Sequence, residues 1–128
     1  MSIEAQLFSY LTSDTTLAAL IGDRLYPLLI PVDEEHPAIA YQMMDRDEEE
    51  THKGPAGTIW KEFQFSIQDK SYPGVLTVEE ALITAMEAWK GTAGDYKVTR
   101  CKCTMAVDGY NLGGDIFTRR VRFEIQYK

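Results

Sequence analysis

Two segments of this chain alternate apolar and polar residues so strictly that the alternation limits the whole fold. In 59-IWKEFQFSIQ-68, Phe63, Phe65 and Ile67 share one side, while Glu62, Gln64, Ser66 and Gln68 share the other. In 117-FTRRVRFEIQY-127, Val121, Phe123, Ile125 and Tyr127 alternate in the same way with Arg120, Arg122, Glu124 and Gln126. A period of two sends successive side chains to opposite faces, so each segment predicts a strand with one face on a core and one in water. Antiparallel sheets accommodate that arrangement, whereas parallel sheets are covered on both faces. Something apolar must therefore lie over one side of this sheet.

Helical periodicity supplies the cover. Ile3, Leu7, Tyr10 and Leu11 fall at helical spacing behind Ser2, a suitable N-cap. The pattern breaks at 12-TSD-14 and resumes with Leu17, Leu20 and Ile21 before Gly22, which predicts two short helices or one kinked helix. A longer helix is signalled by Thr77 and Glu80 as a capping box, with Val78, Leu82, Met86 and Trp89 as its apolar stripe and Gly91 as its end. Residues 37–44 and 98–107 read as further strands. The prolines of 24-RLYPLLIP-31 confine that stretch to an edge or an irregular extended segment. The expectation is α+β: a mainly antiparallel sheet of about four strands with two or three helices packed on one face, forming a single domain over residues 1–128.

The net charge of −7 is concentrated in one place. Asp33, Glu34, Glu35, Asp45, Asp47, Glu48, Glu49 and Glu50 face only Arg46 between residues 33 and 50, which accounts for all of it. From residue 97 onward the balance reverses, with Lys97, Arg100, Lys102, Arg119, Arg120, Arg122 and Lys128 against Asp108, Asp115 and Glu124. Separated charge of this kind orients binding to another charged surface, including a second copy of the same chain.

Most chemical functions lack support. The acidic run 45-DRDEEETHKGPAG-57, with Asp45, Asp47, Glu49, His52 and possible help from His36, matches neither HExxH nor a calcium-loop spacing, and consecutive acids splay apart. Nucleophile elbow, Walker loop and dinucleotide fingerprint are absent. No catalytic residue, metal ligand or cofactor is assigned. An acidic domain disfavours free nucleic-acid binding, although Arg119, Arg120 and Arg122 form a small basic cluster. Cys101 and Cys103 lie two apart on a strand, read as small buried residues rather than a disulfide or zinc site. No apolar run reaches the length of a membrane span, and the first residues have no signal-peptide character, so the expected compartment is a cytoplasm. Interaction remains: the acidic segment reads as a long loop, and 108-DGYNLGGD-115 as a glycine-rich loop presenting Tyr110 and Leu112.

The run Leu7, Leu11, Asp14, Leu17, Leu20, Gly22, Arg24, Leu25, Tyr26 and Pro27 resembles the opening of tail-completion, or tail-terminator-like, proteins of long-tailed phages and prophages. Pro37, Ile39, Tyr41, 63-FQFSI-67, the helix ending near Trp89 and 122-RFEIQY-127 continue the resemblance over nearly the whole chain. The two charged and glycine-rich loops are not part of it. The resemblance implies a non-enzymatic structural protein at the head-proximal end of the tail, made in the host cytoplasm and carried into the virion. There, six copies form a ring that stops tail-tube polymerisation and meets the head connector, with room for DNA to pass. A head–tail joining or adaptor protein of related fold, and a hydrolase with an acidic metal site in residues 45–52, are the alternatives. In a ring, an acidic patch of Asp45, Asp47, Glu48, Glu49 and Glu50 facing Lys102, Arg120 and Arg122 of a neighbour would set the register, with Tyr110 and Leu112 as further interface candidates.

Overall fold

A computed structural model describes residues 2–31, 34–48, 58–111 and 115–128. Helix α1 (Ile3–Ser13) starts where Ser2 Oγ accepts a hydrogen bond from the Ala5 amide at 3.2 Å. Asp14 then ends α1 and caps α2 (Thr15–Ile21), its carboxylate accepting from the Leu17 amide at 2.9 Å. The 12-TSD-14 break is therefore a boundary between two helices. Gly22 follows with φ of +61°, a left-handed conformation that favours glycine.

Two short strands flank the predicted ones. β1 (Leu25–Pro27) runs parallel to β2 (Ala38–Glu48) at one margin, as the prolines require of an edge strand. β3 (Ile59–Asp69), α3 (Tyr72–Glu87), β4 (Gly91–Ala93), β5 (Tyr96–Asn111) and β6 (Ile116–Tyr127) complete the chain. Among the described residues these make three helices and a six-stranded mixed sheet in the order β1-β2-β3-β6-β5-β4. All pairings except β1 with β2 are antiparallel.

The expectation of about four strands is thus corrected to six. β1 and β4 are three residues each and owe their existence to a neighbour rather than to local pattern. Two strands also outrun their predicted ends. β2 continues through Asp45–Glu48 because β3 offers residues 59–62 as pairing partners, so the first part of the supposed acidic loop is strand. β5 continues to Asn111 against Ile116, which places Tyr110 on a strand.

α3 starts a turn and a half before the predicted capping box. Ser71 Oγ accepts from the Gly74 amide at 3.4 Å and Pro73 sits in the first turn, where a missing N–H is harmless. Thr77 lies inside the helix and donates to the Pro73 carbonyl at 2.9 Å. The helix closes at Ala88, and Gly91 instead opens β4 with φ of +106°.

The core lies between the helices and one sheet face. Ile3, Leu7 and Leu11 of α1, Leu17 and Ile21 of α2, and Val75, Val78, Leu82 and Met86 of α3 are buried. Beneath them lie Ile39, Phe63, Phe65, Ile67, Val121, Phe123 and Ile125, so both alternating segments present the predicted face inward. Phe65 and Phe123 meet edge to face with ring centroids 5.6 Å apart. Tyr10 ties α1 to α3 by stacking on Trp89 at 5.0 Å and donating to the Ala85 carbonyl at 2.7 Å.

Candidate interface on the sheet

The strand pairing arranges the polar face in rows. Reading across β2, β3, β6 and β5, one row is Gln42, Gln64, Arg122 and Met105. The next is Asp45, Glu62, Glu124 and Lys102, and the next is Asp47, Trp60, Gln126 and Arg100. Charge therefore changes sign along the last two rows: acidic positions occupy the β2 end and basic ones the β5 end. Exposed Lys102 borders a shallow depression of about 380 Å³ together with Arg100, Cys103, Thr104 and Glu124.

The two ends of these rows are open sheet edges. β1 accompanies β2 only over residues 39–41, and β4 accompanies β5 only over residues 96–98. Among the described residues, no strand lies beside residues 42–48 of β2 or residues 99–111 of β5 on their outer sides. Such edges carry backbone N–H and C=O groups that can pair with another strand.

The sequence-predicted residues are distributed unevenly over this framework. Asp45, Asp47 and Glu48 take register positions opposite Glu62, Trp60 and Ile59. Glu49, Glu50 and Leu112 lie outside the described residues, as do residues 51–57 of the charged stretch. Lys102 stands on the β5 edge strand, whereas Arg120 and Arg122 lie on interior β6. Arg120 is exposed, but half-buried Arg122 is engaged by its own chain. Its Nε donates to Gln64 Oε1 at 3.0 Å, and a terminal nitrogen lies 3.7 Å from Glu62. Tyr110 is 48% exposed, packs on Phe117 at 4.9 Å and donates to Asp115 at 3.0 Å.

Arg119 corrects the reading of Arg119, Arg120 and Arg122 as one basic cluster. It pairs in register with Ile67, on the helix side, and bonds to Glu79 of α3 and to Asp108 of β5, the latter at 2.6 Å. Tyr72 at the start of α3 donates to the same Asp108 at 3.0 Å. The hydrogen bonds from Arg119 and then Tyr72 hold the Asp108 carboxyl below its ordinary value. This link between α3 and the β5–β6 hairpin was missed, although residue parity signals it: Arg119 shares its side of the strand with Val121 and Phe123. Burial pushes the Cys101 thiol up to about 12, and it also raises the half-buried Cys103.

No group of three or more His, Cys, Asp or Glu side chains is placed to hold a metal ion among the described residues. The part of the suggested metal segment from Glu49 to His52 lies outside them. No helix among the described residues is long and apolar enough to cross a membrane.

A mixed six-stranded sheet with helices on one face defines an α+β chain in which, among the described residues, no further helix or strand covers the polar face or the outer sides of residues 42–48 and 99–111. Neither a protein-family model nor a curated protein sequence matches it. Among solved structures, it is similar to a chain from the virion of a native gene transfer agent particle, with a TM-score of 0.76. That match covers 98% of this chain and 94% of the other at 15% identity. A second solved chain matches with a TM-score of 0.54 and 10% identity over 100% of this chain. At these identities the likeness is one of fold.

Proposed function

We propose that this chain is a non-enzymatic structural protein of a phage or phage-like virion. It acts as a single-domain subunit of a ring that ends the tail tube and joins the tail to the head. The observation that carries the reading is the fold shared over 98% of the chain with a chain of a gene transfer agent virion. The resemblance of Leu7 to Pro27 and of 122-RFEIQY-127 to tail-terminator-like proteins points the same way from the sequence. The sign change along the rows suits a head-to-tail ring, in which each subunit offers one patch to a different patch of the next.

The partners in this reading are further copies of the chain, the tail-tube protein and the head connector. Assembly takes place in the host cytoplasm before the protein enters the virion. DNA passes through the ring without sequence-specific contact. The test is native mass by light scattering across concentration and salt, with negative-stain images, alone and with preformed tail tubes. A closed ring near six subunits, or decoration of one tube end only, is the expected result. A protein that stays monomeric and leaves tube ends bare overturns the reading.

A further inference from the structure

The two open edges keep a common register over residues 42–47 and 100–105 on either side of the row of Met43 and Cys103. β2 carries an extra residue, Met44, between the rows of Met43 and Asp45, and β5 carries an extra residue, Thr104, between those of Cys103 and Met105. These bulges lie in adjacent rows. Below them, Asp45 shares a row with Lys102 and Asp47 with Arg100; above them, Gln42 shares a row with Met105. In every one of these pairs the two strands advance together, because each edge strand has gained one residue. A strand like β2 therefore fits β5 without a bulge between them, running antiparallel, since β2 and β5 point in opposite directions across the sheet.

We propose that residues 100–105 of β5 receive residues 42–47 of β2 from a second copy of this chain. The pairing sets Lys102 opposite Asp45 and Arg100 opposite Asp47, so that the sheet continues from subunit to subunit over these residues, and β5 beyond Met105 turns aside where the neighbour's β1 lies along residues 39–41 of β2. The inference rests on the ring reading, which it supplies with an interface. In a ring whose axis runs along the strands, rotation leaves every copy at the same height, so a row leaving one subunit at Lys102 enters the next at Asp45. Backbone hydrogen bonds hold such an added strand, and side chains select it. Here the selecting charges are basic on β5 and acidic on β2. Arg120 and Arg122, two strands' width from any β2 edge of a neighbour, are not part of this contact.

Zero-length carbodiimide coupling of the wild-type protein, assembled from an equal mixture of 15N-labelled and unlabelled chains, tests the pairing. Within one chain Asp45 and Lys102 are three strand spacings apart, about 14 Å, too far for a direct amide. A Lys102–Asp45 amide in mixed-isotope peptides is the expected result. Reversing Arg100 and Lys102 together to Glu should weaken assembly about tenfold or more, as two pairs near the upper end of the surface range allow. Adding Asp45→Lys and Asp47→Lys to that chain should restore assembly. Rings that form without the amide and without rescue overturn the edge pairing and leave the ring reading intact. A strict monomer, including at tail-tube ends, overturns both.

Discussion

Arg119 is the residue whose removal the fold should feel most outside the apolar core. It is the joint between α3 and the β5–β6 hairpin, with its side chain 22% exposed, against 14% for Glu79 and 52% for Asp108. Arg119→Ala strands both carboxylates, and the nearly buried Glu79 loses the cation that its described hydrogen bonds come from. Breaking a fully buried ion pair from one side costs about 3–5 kcal/mol, and an exposed pair contributes about 0–1. At this intermediate exposure the expected loss is about 2 kcal/mol. Glu79→Ala should cost less, about 1 kcal/mol, because Arg119 keeps Asp108 as a partner. The Arg119–Glu79 coupling in a double-mutant cycle should be about 1 kcal/mol. Urea unfolding of the four proteins of the cycle and of Asp108→Ala, followed by circular dichroism, measures these quantities. Repeating it in about 1 M salt, where the screening length is about 3 Å, should erase the Asp108 contribution and keep most of the Glu79 coupling. Equal losses for Arg119→Ala and Asp108→Ala, or a coupling near zero, would show that the joint is not made through Glu79.

Two further predictions concern titrating groups. The folded-state Asp108 carboxyl is depressed by Arg119 and Tyr72, so its stabilising effect is present above the ordinary carboxylate value of about 4 and lost as pH falls through the lower folded value. Asp108→Asn should flatten the acid limb of a stability–pH curve there and leave the neutral region almost parallel; an unchanged acid limb counts against these bonds. For the thiols, a value of about 12 leaves about one Cys101 in ten thousand ionised near pH 8, against about a quarter for an ordinary thiol. Native-state alkylation read by peptide mass spectrometry should therefore modify Cys103 well before Cys101, with the difference vanishing in urea; equal native rates refute the burial argument.

What could be read from the sequence was whatever depends on nearest neighbours. Parity placed Phe63, Phe65, Ile67, Val121, Phe123 and Ile125 on the core face, and helical spacing found Leu7, Leu11, Leu17, Val78 and Leu82. Termini depended on more. Thr77 and Glu80 satisfy capping grammar from inside α3, while the Ser71 cap was obscured by Pro73, which a first turn tolerates. A strand persists for as long as its partner does, so the charged residues 45–48 belong to β2 because β3 lies beside them. The rows that bring Asp45 and Lys102 to the same height depend on two bulges and three pairings. No local pattern encodes that relation, even though the opposite charges of the two segments were visible.

Those rows also bear on how edge-joined copies would avoid forming a fibre. An interface between two different edges is heterologous and closes only if successive copies stay level. A one-residue slip in the proposed pairing would bring Arg46 opposite Lys102 in one direction, or opposite Arg100 in the other. Like charges directly opposite are destabilising, and an odd slip also turns each side chain to the wrong face. The single base within the acidic run thus opposes the smallest register error. A two-residue slip avoids that clash but raises the next copy by about 7 Å, twice the rise per strand residue. Repeated around the axis, that rise produces a spiral whose last copy misses the first and leaves two edges unpaired. The level register returns to its starting point and pairs every edge, so closure itself favours Asp45 opposite Lys102 over the shifted alternative.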